Sequence, residues 1–507
     1  MEGEGDMENA AQLGTSTRAE APLGGGRLSA FEASGVSVAG LAPTMAMALG
    51  TSFAASEAGD AVPLCYLLAA VGSLALAYVI VRFARRRPGS GLAFTYVDDA
   101  FGKTPGFTAG AIYSLSWLFG IAVTLAISAV AISSIVAEYH GSISWLPIFL
   151  AEMVIAFGLN FLGVKPSVRL QVVAEIGSML AVTAIFAAVL VSPHTPGLSF
   201  RPFTPSVSLK GWGGIGFGMI YGFSGFAGFE GAAALGFETR NPRSGIPRAI
   251  LWSLIGSSIF YLFITYSLAI GFGTKGVSSW ASAAAPLAVI LTRFIGPNWA
   301  SAVEAMVALS GFSAGLGLVT LSTRVMHGMS LRGLLPRALR WEHPRFHTPS
   351  YGVALVCVVA AALGVALGVA EGTNTLIGFT SAFNTLILIA VYAVIAVGAV
   401  VVFGSRAGTH ARWHAFVVPA VAFVLLGYAF YASVIPVPAF PYNLAPYLVL
   451  GVAVIAVVVG ARLRERPDLD LGELFAEEPG TAGPASDSSR SGDGLSASAP
   501  QATGRDS

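Results

Sequence analysis

Two short segments of this sequence place helix-breaking residues inside long apolar runs. The first extends from Gly35 to Thr44 and contains Gly40 and Pro43. Proline lacks a backbone N–H and clashes with a continuous helix before it, and glycine tolerates the irregular backbone that results. The second extends from Gly222 to Glu230 and has three glycines in seven residues. Both segments therefore predict interrupted helices, whose unpaired N–H and C=O groups are available to bind a polar solute.

The backbone groups of such a site suit a solute that carries both charges. Freed N–H groups after Gly40 would lie at the positive end of a helical segment, which favours a carboxylate. Freed carbonyls around Gly40 and Ala227 would favour an ammonium group, and an α-amino acid carries both charges at short separation. The alternative is that these glycines only allow close helix packing. The predicted substrate-binding residues are Ala39, Gly40, Leu41, Pro43, Thr44, Phe226, Ala227, Gly228 and Phe229.

Acidic residues inside apolar runs are costly in a membrane, so each is a candidate for function. Glu230 is the last residue of the second segment and is either a gate or coupling residue or an acceptor for freed backbone N–H groups. Glu175 lies in another apolar run, where a carboxyl group could exchange a proton or could only pair with a neighbouring helix. Sodium would instead need oxygen ligands, for which Ser310, Ser313 and Thr320 are available. Because serine and threonine hydroxyls are also common packing groups in membrane helices, we expect H⁺ rather than Na⁺ as the ion that such a site would take.

Aromatic residues near these segments could close or line the site. Phe226 and Phe229 flank the second break and could cover a solute from outside. Tyr113 and Trp117, in a separate apolar run, could line the same cavity. Aromatic side chains in membrane helices also serve as ordinary packing, which is the alternative for all four.

The elements that must position these residues are long apolar helices. A helix needs roughly 20 apolar residues to cross a bilayer. A stretch from Leu287 to Phe294 is too short to span and is expected at the surface. Twelve segments are long enough: 35–56, 61–82, 106–133, 144–163, 168–191, 213–236, 247–272, 298–328, 350–370, 374–403, 415–435 and 444–462. The two predicted breaks then fall in the first and sixth spans.

The distribution of basic residues predicts the orientation. Loops that share a side with the N-terminus carry seventeen Lys and Arg residues, and the opposite loops carry only Arg201, Lys210, Lys275 and Arg293. Cytoplasmic loops are the ones enriched in Lys and Arg. Both ends of the chain are therefore expected in the cytoplasm, with the protein in a plasma membrane. Its alanine- and arginine-rich composition suggests a bacterial one.

Composition separates the middle of the chain from its ends. Only 11% of residues are charged, against about 25% in a soluble domain, and the net charge is +1. That balance gives no support to nucleic-acid binding. The ends are rich in Gly, Ser and acidic residues, so residues 1–30 and 464–507 are predicted to be disordered tails flanking a transporter domain at 31–463.

The region after the second break carries the most specific motif. Its parts are Phe226–Glu230, Glu238–Arg243 and Ile246–Ile250. Two further matches lie elsewhere in the chain: Arg85–Pro88 with Gly91 and Tyr96, and Ser322–Arg324 with Gly333–Pro336. Together these resemble the amino acid–polyamine–organocation permease superfamily over about residues 31 to 460. The chain departs from that pattern at Val38–Gly40, Phe237 and Leu331–Arg332, which leaves the exact substrate open.

The resemblance implies an all-α integral membrane fold of twelve helices. Ten would form a core of two inverted repeats of five (the LeuT-like arrangement), with helices 1 and 6 broken around a central site and two helices peripheral. It also implies alternating access. In some relatives a titratable residue on the fifth helix occupies the place that sodium takes in others, and Glu175 is similar to that arrangement.

We therefore expect a secondary active transporter of amino acids or related amines, working by proton-coupled symport. Exchange and sodium-coupled symport are alternatives, and a membrane sensor or channel is an alternative of another class. An enzyme is not expected, because neither intramembrane histidine nor paired carboxylates stand at catalytic spacing. The expected partners are a small solute and the lipid bilayer, with no cofactor or metal; the oligomeric state is open.

Overall fold

The regular elements of this protein are helices. The computed structural model describes residues 29–48, 50–86, 92–193, 195, 197–234, 239, 241–331, 334–404, 412–435 and 440–464. Within these residues the α-helices are α1 Ala30–Leu41, α2 Pro43–Ala48, α3 Gly50–Ala58, α4 Val62–Arg86, α5 Leu92–Phe101, α6 Lys103–Glu138, α7 Trp145–Leu162, α8 Val164–Val191, α9 Gly211–Phe226, α10 Gly231–Ala234, α11 Pro242–Phe272, α12 Val277–Ser282, α13 Pro286–Phe294, α14 Pro297–Leu331, α15 Ser350–Glu371, α16 Thr373–Gly404, α17 Arg412–Val434 and α18 Ala445–Arg464.

Ten helical segments in the described part of the chain are long and apolar enough to cross a membrane. Nine of them begin and end within five residues of a predicted span, and the other, Gly50–Arg86, begins eleven residues before the predicted span 61–82. The first predicted span is interrupted between α1 and α2, and only its last part, from Gly50, falls in one of the ten; the sixth is interrupted between α9 and α10 and is not among them. Interruption is what the glycine and proline pattern predicts for these two segments.

The start of α1 follows directly from its sequence. Ser29 accepts a hydrogen bond from the backbone N–H of Glu32 at 3.2 Å, and the Glu32 carboxylate accepts one from the N–H of Ser29 at 2.9 Å. This reciprocal pair satisfies two N–H groups that a helix start leaves without partners. It fixes where the first interrupted segment begins.

The interrupted helices lie inside the bundle. Helix α1 packs against α8, α11 and α14, and α9 packs against α3, α4 and α17. Outward-facing apolar side chains are exposed on the surrounding helices; Val154, Val173 and Val358 are 70%, 72% and 66% exposed. An apolar exterior of this extent is typical of helices surrounded by lipid. The predicted surface stretch 287–294 is α13, a short helix with Leu287, Ile290 and Leu291 buried.

Some predictions fall on residues outside the described part. These are the two tails apart from residues 29, 30 and 464, and the motif residues Arg87, Pro88, Gly91, Phe237, Glu238, Arg240, Arg332 and Gly333. Helix α5 was not predicted; it lies between the second and third spans and packs against α6 and α16.

Candidate functional site

The first interruption lies between α1 and α2. Ala42 has left-handed backbone angles, with φ 42° and ψ 61°, and its N–H donates to the carbonyl oxygens of Ala39 and Val38 at 3.1 and 3.2 Å. Pro43 then begins α2, in the first-turn position where its missing N–H costs no helical hydrogen bond. A left-handed alanine is uncommon, so the surrounding contacts must hold the chain in this conformation.

The second interruption consists of the four residues between α9 and α10. Ala227 leaves the helix with extended backbone angles, and Gly228 has φ +92°. The helix resumes when the N–H of Gly231 donates to the carbonyl of Gly228 at 2.9 Å. Glycine is favoured at 228 because a side chain is strained at this φ.

The two interruptions touch each other through Gly40 and Gly228. A Cβ atom on Gly40 would lie 2.8 Å from the carbonyl oxygen of Gly228, and one on Gly228 would lie 2.8 Å from that of Gly40. The Ser37 hydroxyl adds a second link by accepting a hydrogen bond from the N–H of Ala232 at 2.9 Å. The two broken segments, far apart in sequence, therefore form one backbone-lined unit.

Tyr261 on α11 holds the two broken segments from a third helix. Its hydroxyl oxygen lies 3.0 Å from the carbonyl oxygen of Leu41 and 2.5 Å from that of Gly225. Its single proton is therefore shared between the last residue of α1 and a residue one position before the end of α9. The ring is fully buried against Phe226, with centroids 4.9 Å apart. The sequence gives no signal for this role, because Tyr261 lies in an unbroken apolar span.

A cavity adjoins the two interruptions. Its volume is about 80 Å³, and a single water needs about 10–15 Å³, so it has room for several waters. Four predicted site residues line it: Gly40, Leu41, Ala227 and Trp117. Others that line it were not predicted, among them Met45, Phe53, Thr124, Tyr221, Ser224, Ser381 and Asn384.

The remaining predicted binding residues lie behind the cavity wall. Phe226 and Phe229 are 1% exposed, and they pack against Tyr261 and Tyr392 respectively. Neither phenylalanine lines the cavity. Ala39 packs against α14, where a Cβ on Gly317 would lie 3.2 Å from the Ala39 Cβ. Pro43 and Thr44 are buried in α2. Gly228 contacts Gly40 but does not itself line the cavity.

Glu175 lies against α2 and α14 and is fully buried. The Ser310 hydroxyl donates to its carboxylate at 2.9 Å and accepts from the N–H of Met45 at 3.2 Å. The Thr44 hydroxyl donates to Ser178 at 3.0 Å, and Ser178 donates to the backbone carbonyl of Glu175 at 3.0 Å. Two neighbouring residues of α2 are thus connected to Glu175, and one of them, Met45, also lines the cavity.

The other hydroxyls considered as sodium ligands have partners of their own. Ser313 donates to the carbonyl of Gln171 at 3.4 Å, and Thr320 donates to the side chain of Asn160 at 2.7 Å. Ser310 is shared between Glu175 and Met45 as described. These three hydroxyls therefore contribute to helix contacts in the conformation seen here.

Glu230 connects the second interruption to two further helices. Its Oε1 accepts hydrogen bonds from Tyr113 on α6 at 2.6 Å and from Tyr392 on α16 at 2.5 Å. The carboxyl group is 1% exposed. Tyr113 therefore contacts the acid rather than the cavity, and its neighbour Trp117, with ring centroids 5.4 Å away, reaches the cavity instead. The two hydrogen bonds to Glu230 attach the segment that follows α9 to α6 and α16.

Apolar helices of membrane length around an internal cavity define a multi-pass membrane protein, and comparison with known proteins identifies its class. Residues 30–457 match the model of the family described as amino acid permease. The match covers most of the chain, so the protein belongs to the amino acid permease family. Membership makes it a transporter and not an enzyme.

Individual relatives are similar over much of their length. The branched-chain amino acid permease BcaP of Bacillus subtilis (strain 168) is 29% identical over 364 residues, which cover 67% of this chain and 75% of the relative. The low-affinity putrescine importer PlaP of Escherichia coli (strain K12) is 27% identical over 335 residues, covering 59% and 66%. The gamma-aminobutyric acid permease of the same strain is 27% identical over 351 residues, covering 66% and 71%.

Proposed function

We propose that this protein is a secondary active transporter that moves amino acids or related amines across a bacterial plasma membrane by alternating access. The observation that carries this proposal is the contact between Gly40 and Gly228 beside the cavity. It brings irregular backbone from two helices to one internal site. Non-helical backbone at membrane depth is tolerated where it lines a cavity, and in transporters such sites bind substrate.

The named substrates of the relatives support the solute class. Their names give branched-chain amino acids, putrescine and gamma-aminobutyric acid, all of which carry at least one ammonium group. Backbone carbonyls at the ends of α1 and α9 would accept hydrogen bonds from an ammonium group, and N–H groups at the interruptions would donate to a carboxylate.

We further propose that the two interrupted segments cross the bilayer with the ten continuous helices. That gives twelve spans, with breaks in the first and sixth, as two inverted repeats of five helices require. The loops that carry seventeen of the Lys and Arg residues then lie on the same side as the N-terminus, so both ends of the chain would be cytoplasmic.

Proton-coupled symport is the proposed energy source, with Glu175 as the proton acceptor. The hydrogen bonds from Glu175 through Ser310 to Met45 connect this carboxyl group to a helix that borders the cavity. A change in the protonation of Glu175 would alter its hydrogen bond with Ser310, and through Ser310 the hydrogen bond that holds Met45 of α2. Sodium coupling and exchange are the competing mechanisms.

The experiment is uptake of labelled amino acids and amines into liposomes containing the purified protein, with an inward proton gradient or with equal pH inside and outside. Saturable uptake, stimulated by the gradient and absent from protein-free liposomes, is expected. Failure to take up any amino acid or amine would refute the proposal. Flux that does not saturate would favour a channel, and stimulation by sodium alone would favour sodium coupling.

A further inference from the structure

The cavity wall offers no ionised side chain. Its polar side chains are all neutral: Trp117, Thr124, Tyr221, Ser224, Ser381 and Asn384. The other lining residues are apolar or glycine, including Met45, Phe53, Val123 and Ile377. Within the described residues that line this cavity, therefore, a solute with a charged side chain would find neither a carboxylate nor a basic group.

The two acidic groups considered for the site lie outside the cavity wall; each accepts hydrogen bonds through one carboxylate oxygen, and its other oxygen is buried without a hydrogen-bond partner. Glu230 accepts from Tyr113 and Tyr392, and Glu175 accepts from Ser310. Neither acid lines the cavity. A second ammonium group on the solute would therefore lose its hydration without gaining an opposite charge. Burying an unpaired charge in this way is strongly unfavourable.

We propose that the site selects zwitterionic amino acids with uncharged side chains and discriminates against diamines and against basic or acidic amino acids. The reasoning rests on the proposed function, because it treats this cavity as the transport site. Backbone groups at the interruptions would meet the two charges of the zwitterion, and the neutral wall would accept its side chain. Among the relatives' named substrates, this excludes putrescine and retains the amino acids.

Asn384 on α16 is the wall position best placed to control this selectivity. It is 7% exposed, it lines the cavity, and its Oδ1 has no hydrogen-bond partner in the protein. Its Nδ2 lies 3.6 Å from where a Cβ on Gly120 would be, on the opposite helix α6. The Asn384→Asp substitution keeps the side-chain shape and adds a carboxylate to the neutral wall.

The test measures uptake of leucine, lysine, glutamate and putrescine separately by the natural protein in liposomes, each over a range of concentrations. The structure predicts that kcat/KM for leucine exceeds that for each charged solute by at least about tenfold. A kcat/KM for putrescine, lysine or glutamate within tenfold of that for leucine would overturn the inference while leaving the transport function intact. Uptake of none of them would instead count against the proposed function.

The second arm compares Asn384→Asp with Asn384→Ser. The aspartate variant is expected to raise the ratio of lysine to leucine uptake by about tenfold or more, since an opposite charge now faces the cation. The serine variant, which removes the amide without adding charge, should leave that ratio unchanged. An unchanged ratio in an Asn384→Asp protein that still transports leucine would contradict the inference.

Discussion

Gly40 and Gly228 meet backbone to backbone, so that a Cβ atom on either residue would stand 2.8 Å from the carbonyl oxygen of the other. They belong to two different interrupted helices, and their contact places both interruptions beside one cavity. Any side chain at either position would separate the segments. The geometry of the whole site therefore depends on two residues that have no functional group of their own.

Alanine at position 228 should disrupt the site. Gly228 has φ +92°, so Gly228→Ala adds both backbone strain and a clash with Gly40. We expect a loss of more than about 1 kcal/mol in stability, seen as a lower unfolding temperature in detergent, and a loss of transport. The matched control is Gly256→Ala, because nothing lies within 4 Å of a Cβ there. Equal stability of the two variants would contradict the close backbone contact between Gly40 and Gly228.

Removing the Tyr261 hydroxyl should loosen both interrupted helices. Tyr261→Phe leaves the carbonyls of Leu41 and Gly225 without this donor, which costs about 1–3 kcal/mol for buried groups. Uptake should fall and the unfolding temperature should decrease. Tyr266→Phe, five residues along the same helix, serves as the control because Tyr266 stacks on Phe203 through its ring. If both variants behave like the natural protein, the hydroxyl has no role in joining the two segments.

Glu175→Gln should separate transport from the proton gradient. Glutamine keeps the side-chain size and can still accept from Ser310 but does not titrate. We expect residual or exchange-type uptake that no longer responds to a pH gradient. The control is Glu152→Gln, another buried acid, whose partner is Ser128 at 2.5 Å; it should keep the response. Full gradient dependence in Glu175→Gln would remove Glu175 from the coupling mechanism.

The hydrogen bonds from Tyr113 and Tyr392 to position 230 should require an acceptor oxygen there but not a negative charge. A glutamine oxygen can still accept from Tyr113 and Tyr392, so Glu230→Gln should retain most of the uptake. Glu230→Leu leaves two buried hydroxyls without their partner and should reduce stability by about 1–3 kcal/mol. Unfolding temperature and uptake of both variants check this. Equal loss in the two variants would indicate that the negative charge itself is required.

The sequence predicted the helices and both interruptions because those features follow local rules. Apolar length sets the spans, and Gly40, Pro43 and Gly228 limit the backbone at their own positions. Nine of the ten long segments consequently match the predicted spans within five residues at each end, and Gly50–Arg86 begins eleven residues early. The family motif rested on the same local pattern around Phe226–Glu230.

The contacts that complete the site could not be predicted in this way. Tyr261 lies 220 residues from Leu41 in sequence, and Tyr392 lies 162 residues from Glu230. Ser381 and Asn384 sit in an unremarkable apolar span, yet they form part of the cavity wall. Conversely, Phe226 stands beside the interruption but is packed inside the bundle. Which face of a helix meets the cavity is set by tertiary packing, which a single span does not encode.

The central claim is that the cavity beside Gly40 and Gly228 is where the substrate binds. The most direct test uses a protein carrying Cys65→Ala and Cys357→Ala, so that no native thiol remains, with Ser224→Cys added at the cavity wall. Trp299→Cys, at an exposed position away from the cavity, is the control. The rate of thiol labelling is then measured with and without a transported amino acid. The account predicts that the amino acid slows labelling at position 224 in a saturable manner and leaves position 299 unaffected. An unchanged labelling rate at position 224, at concentrations that saturate transport, would contradict it.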